Sequence, residues 1–150
     1  MAKIEIANLG DVKDKHVNIS GIVGVGEKNE RNDVMLIQAL FKLVGYSDFN
    51  AKKYFGLAAE DLPQLTGDFD QKTIRAIWGF QRKMSYRLLN TDGKIHPASY
   101  ENRVLRKAFT GGRLMAITLL NMEALEQAVM LNVKEVPDAV KKIAPAIIFT

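Results

Sequence analysis

The sequence predicts a mainly α domain, preceded by short β-strands and followed by an α/β extension. Three observations carry this. Apolar residues recur at three- and four-residue steps over 34–44 and 73–88. Alternating runs with β-branched residues occupy the first thirty positions. A short phrase is written twice, as "TGDFDQKT" at 66–73 and "DGKIHPAS" at 92–99, each time ahead of a helical pattern.

Composition sets the bounds. At 150 residues, 47% apolar and 25% charged, the chain fits one globular domain, 1–150, with a sizeable core. We divide it into N-terminal strands and loop (1–30), a helical core (31–110) with an insert at 46–65, and a C-terminal extension (111–150). A net charge of +4 is mild, and no Lys/Arg run reaches four residues. Without cysteine, a disulfide framework and a thiolate metal site are excluded. The N-terminus lacks the apolar core of a standard secretory signal, so synthesis in the cytoplasm is expected, with action outside it only by another export route. The stretch "LMAITLLNMEALEQAVMLNV" contains Glu123 and Glu126, which are costly in a bilayer, so no membrane span is expected.

"KIEIANL" at 3–9 and "HVNISGIVGVG" at 16–26 read as strands, the second broken by Gly21, Gly24 and Gly26. The first helix opens at Asn32 or Asp33 as N-cap, buries Val34, Ile37, Leu40, Phe41 and Val44, and stops at Gly45. Residues 50–55 form a short helix within the insert, which Pro63 ends. In the first copy of the phrase, Gly67 supplies a turn, Phe69 an apolar anchor and Asp70 an N-cap. Helix two then runs from about Gln71 to Tyr86, burying Thr73, Ala76, Ile77, Phe80, Met84 and Leu88. In the second copy Asp92-Gly93 is the turn, Ile95 the anchor, and His96-Pro97 opens a third helix that buries Tyr100, Val104, Leu105 and Ala108 and ends at Thr110–Arg113. In the tail, "LMAITLL" reads as a strand, "NMEALEQAVML" as a helix capped by Asn121, "PDAVKKIA" as a helix opened by Pro137, and "AIIFT" as a last strand.

Catalytic chemistry finds no footing. His16 and His96 have no metal-ligand spacing, and no nucleophile elbow occurs. Asp68 and Asp70 are close together, but Asp70 serves as a cap. Glu27 and Glu30 lie in a polar loop. "GVGEKN" lacks the lysine–hydroxyl ending of a phosphate loop. No catalytic residue, metal ligand or cofactor is assigned.

Helix two carries a different pattern. Arg75, Trp78, Arg82 and Tyr86 stand at steps of three, four and four, a stripe beside the buried face. Aromatic faces stack on sugars and arginine grips carboxylates, so the stripe fits a carboxylated glycan; it would also suit nucleic acid, the less favoured ligand. The bland alternative is that Trp78 packs beneath the 46–65 insert or the tail, with Arg75 and Arg82 at its rim. Tyr46 and Lys94 join the candidates, because the end of helix one and the second turn should be neighbours.

From about 24 to 105 the chain resembles the peptidoglycan-binding domain found beside cell-wall hydrolases. The likeness rests on Asp33-Val34, Gln38 with Leu40, Gly67-x-Phe69-x-x-x-Thr73, Ala76-Ile77-x-x-Phe80-Gln81 and Asp92-Gly93-x-Ile95-x-x-x-Ser99. It departs in the longer segment before Gly67, in Ser99, and in Met84-Ser85-Tyr86. The resemblance implies a non-catalytic three-helix bundle that binds cell-wall glycan or stem peptide, in bacterial settings such as a phage-like or secretion apparatus. The alternative is a protein-interaction module on the same fold: an adaptor, chaperone or structural part without wall binding. An exposed stripe favours the first, and a covered stripe with an exposed apolar tail favours the second. A wall hydrolase would need a carboxylate or histidine cluster that the sequence does not present.

Overall fold

A computed structural model describes residues 2–9, 12–98 and 113–150. Among them are five α-helices and two small antiparallel sheets, a mixed α/β architecture. Strands β1 (Lys3–Leu9) and β2 (Val12–Asn18) form a hairpin in the register Lys3↔Asn18 to Leu9↔Val12. The second sheet is a two-residue ladder between β3 (Val23–Gly24) and β4 (Lys94–Ile95). It ties the N-terminal segment to the second copy of the repeated phrase.

Helix α1 (Arg31–Val44) is central, with every residue from Asp33 to Phe41 buried. Burial on this scale exceeds one amphipathic face because α1 is packed from several sides. Asn32 and Asp33 do not cap it. Glu30 is the N-cap residue, and Asp33 turns inward, where its carboxylate accepts from Ser20 N and Oγ and from Gly21 N. The carboxylate therefore fastens the incoming chain to the first turn. Gly45 ends the helix as expected, its N–H donating to Phe41 O.

Helix α2 (Asp48–Phe55) belongs to the segment read as an insert, yet it is part of the core. The Phe55 ring packs edge-on to Phe41 at 5.1 Å and against Phe80 at 5.5 Å, so it joins α1 to α3 (Gln71–Lys83). The α2 and α3 backbones touch at Gly79, where a Cβ would stand 2.2 Å from Phe55 O. Asp70 caps α3 as read from sequence, its Oδ1 accepting from Thr73 N and Oγ1. The helix ends at Lys83 rather than Tyr86; Ser85–Arg87 form a separate 3₁₀ turn.

The tail differs most from expectation. "LMAITLL" is not a strand: α4 runs from Ala116 to Met130. A short apolar run carries no periodicity that separates a buried strand from a buried helix, and here Ala116–Leu120 are buried against the body. Asn121 is not a cap but lies inside α4, fully buried, donating to Val17 O and Ile117 O and accepting from Val17 N. Helix α5 (Val136–Ile143) has Pro137 in its first turn. "AIIFT" makes no strand, only a parallel bridge from Phe149 to Ala2. Both α4 and α5 pack on α1 and on β2. The predicted third helix does not open at His96-Pro97, where 96–98 are not helical; the rest of it, with Ser99, Tyr100, Val104, Leu105 and Ala108, lies outside the described residues.

Candidate functional site

The two copies of the phrase share one device. In the first, the Gln38 amide accepts from Gly67 N at 2.8 Å and donates to Asp68 O at 2.9 Å. In the second, Gln81 accepts from Gly93 N at 2.6 Å and donates to Lys94 O at 2.7 Å. Both glycines have φ +77°, a conformation that side chains oppose. Both glutamines are buried, so each amide replaces the water its turn would otherwise need.

What lies over each turn decides what it can bind. Over Gly67 runs the Arg31 stem, whose guanidinium pairs with Asp68 at 3.1 Å. Over Gly93 lies the Trp78 ring, so close that a Cβ would stand 2.3 Å from Cζ2. Trp78 thus packs on the second turn, not beneath the 46–65 segment or the tail, and stays 47% exposed. With Gln81, Arg82, Ser85 and Thr91 it lines an open cleft of about 490 Å³. Among the described residues no carboxylate or histidine lines it. Gln81 is committed to the turn, which leaves the Arg82 guanidinium and the Ser85 and Thr91 hydroxyls to face a ligand.

The stripe is only partly assembled. Trp78 and Arg82 share the cleft. Arg75 is exposed on the same helix but outside the lining, and Tyr86, 69% exposed, sits beyond the end of α3. Tyr46 lines a separate cleft of about 240 Å³ with Lys42, Glu60, Leu62, Pro63 and Gln64. Lys94 is engaged with Glu27 at 2.8 Å, and that hydrogen bond raises its pKa. Tyr46 and Lys94 therefore do not join the Trp78 cleft. Sequence reasoning missed Ser85 and Thr91. Ser85 stands seven residues after Trp78, a spacing that would have found it; Thr91 is brought in only by the fold of the second turn.

Other polar groups serve structure. Asn29 closes the "GVGEKN" loop, accepting from Gly24 N and donating to Gly24 O and Glu27 O. The Tyr54 hydroxyl donates to Glu123, which also receives Arg87; burial first and this carboxylate second push the tyrosine pKa up. Burial lowers the pKa of His16 to about 4, against the opposing pull of Asp14. His96 bonds Asp92 at 2.7 Å. Burial alone would raise the pKa of Asp92, but the His96 ring and Lys94 N–H outweigh it and hold the carboxyl below its usual range. Among the described residues no cluster of three His, Cys, Asp or Glu is placed to hold a metal ion, and no helix is long and apolar enough to cross a membrane.

No protein-family model, curated protein or solved structure matches the chain.

Proposed function

We propose that this protein is a non-catalytic module of the peptidoglycan-binding type over residues 24–105, which recognises cell-wall glycan or stem peptide at the Trp78–Arg82 cleft in a phage-like or secretion setting. One observation carries the reading: a half-exposed tryptophan face, seated on Gly93, beside a guanidinium that has no ion-pair partner among the described residues. An indole held in place loses little entropy when a sugar ring stacks on it. The guanidinium offers paired donors to a carboxylate. The repeated glutamine–glycine clamps support the three-helix assignment, because they give the motif residues of both copies one shared physical job.

The test is co-sedimentation with insoluble peptidoglycan sacculi at low and moderate salt, beside a Trp78→Ala, Arg82→Ala double variant. Pelleting that survives moderate salt and is lost in the variant is the expected result. Protein that stays in the supernatant, or pelleting that vanishes with modest salt, removes wall recognition.

A protein-interaction role is the second reading. Val129 and Met130 at the end of α4 and Ile148 in the tail are exposed apolar side chains. This reading predicts that the double variant leaves partner binding intact.

A further inference from the structure

We propose that the outer edge of β1 pairs with β1 of a second copy of this chain, antiparallel, about a two-fold axis at Ile6. Asn121 sets the phase of the hairpin. Its side chain takes both the N–H and the C=O of Val17, so those two groups point away from β1. Val17 stands opposite Ile4. In an antiparallel pair, opposed residues either bond each other or both face outward. The Ile4 backbone therefore faces away from β2, and by the alternation of the strand so do those of Ala2, Ile6 and Asn8.

The C-terminal segment confirms this phase independently. Thr150 N donates to Ala2 O at 3.0 Å, and Phe149 bridges Ala2 in parallel. The tail thus covers the outer edge at Ala2. The far edge of the hairpin is covered at Val17 by Asn121. On β1, what remains among the described residues is one stretch of outward backbone, at Ile4, Ile6 and Asn8, and Ile6 is 60% exposed; on β2 the same alternation turns Lys13 and Lys15 outward. Folded proteins block such edges with charge, proline, bulges or a covering segment; the middle of this one carries a bare isoleucine.

The stretch is symmetric about Ile6, and this selects the occupant. Pairing centred on Ile6 sets Ile6 against Ile6 of the second copy and Ile4 against its Asn8, so every outward residue is used. Glu5 then faces Ala7 and Lys3 faces Leu9, with no like charges opposed. Centring on Glu5 would set two carboxylates face to face and drive Asn8 onto Ala2, which the tail already holds. Centring on Ile4 would drive Ile6 onto that same Ala2. Centring on Ala7 leaves Ile4 without an outward partner on the other strand. The Ile6-centred register alone fills the stretch and stops short of the tail, and it gives a continuous four-stranded sheet, β2-β1-β1-β2.

The chain has no cysteine, which allows a direct test. In this register the two Ile6 Cα atoms lie about 5.5 Å apart, within disulfide reach. Ile6→Cys oxidised with diamide, a two-electron oxidant of paired thiols, is expected to give a covalent dimer as the major species. Lys3→Cys is the control, since its two thiols stand six positions apart, roughly 20 Å. Sedimentation velocity of the unmodified chain over a wide concentration range is expected to show a monomer–dimer equilibrium. Ile6→Pro should abolish it with the circular dichroism spectrum unchanged, because that N–H faces outward and takes no part in the hairpin. A chain that stays monomeric overturns the proposal. So does a dimer that survives Ile6→Pro, or one that cross-links as well through position 3 as through position 6.

Discussion

At Gly67 the buried amide of Gln38 accepts from the glycine N–H and donates to the carbonyl one residue on; at Gly93 the amide of Gln81 does the same. Beyond this shared clamp the two turns part. The first is knitted more tightly. Gln38 also accepts from Thr66 N and donates to Thr73 Oγ1, which Asp70 holds in turn. Its cover is an arginine stem whose charge is spent on Asp68. Among the described residues the second turn has fewer bonds to its glutamine, and its lid is a half-exposed indole. Because the clamp meets the backbone's needs alone, the lid is free to differ, and the aromatic one is left lining an open cleft. The same fold device carries a charge-paired arginine at one site and a half-exposed indole at the other.

The largest expected effect is in the glutamines. Gln38→Ala leaves the buried Gly67 N–H without its partner and removes three further bonds, to Thr66 N, Asp68 O and Thr73 Oγ1, which keep Gln64 O, Asp70 N and Asp70 Oδ1; it should cost about 3–4 kcal/mol, and Gln81→Ala, with two bonds, about 2–3 kcal/mol. Urea denaturation of the two variants measures the difference, and a larger loss at Gln81 would break the comparison. Next come the glycines. Alanine at φ +77° costs about 1–2 kcal/mol at either position. Gly93→Ala must also displace the ring of the only tryptophan, so it should shift that residue's emission to longer wavelength, while Gly67→Ala leaves emission unchanged. Unshifted emission in Gly93→Ala would mean that the indole does not rest on the turn. Smaller still, Asp70→Ala removes the cap of α3, at about 1 kcal/mol in thermal unfolding.

The smallest effect separates the turns by pH. Asp92 has its pKa lowered by hydrogen bonds that outweigh burial, so its contribution is complete above the ordinary carboxylate value and is lost as pH falls through the depressed one. The carboxylate is half-exposed, so less than about 0.5 kcal/mol is at stake after screening. Asp92→Asn should flatten this acid limb. An unchanged limb would assign it to other carboxylates.

Much of this was legible locally. The apolar faces of α1 and α3 follow from spacing, and the Asp70 cap from residue type and position. The equally plausible cap at Asn32 or Asp33 failed because Ser20 and Gly21 compete for the Asp33 carboxylate. Asn121 looked like a cap for the same reason that Asp33 did. Its amide instead serves Val17, 104 residues away, from inside a helix. The segment 46–65 read as an insert because α2 is weakly amphipathic, although Phe55 stands between two core rings. Trp78 and Arg82 were found by spacing, whereas the cleft they line needed Thr91 from the second turn.

By itself the sequence determined the helical faces and the two glycine turns, since periodicity and positive φ are properties of a few adjacent residues. Tertiary structure decided which side chain covers each turn, which backbone edge is filled, and where the indole faces solvent. Those outcomes depend on partners distant in the chain, such as Gln38 with Gly67 and Asn121 with Val17, and packing is what brings them together.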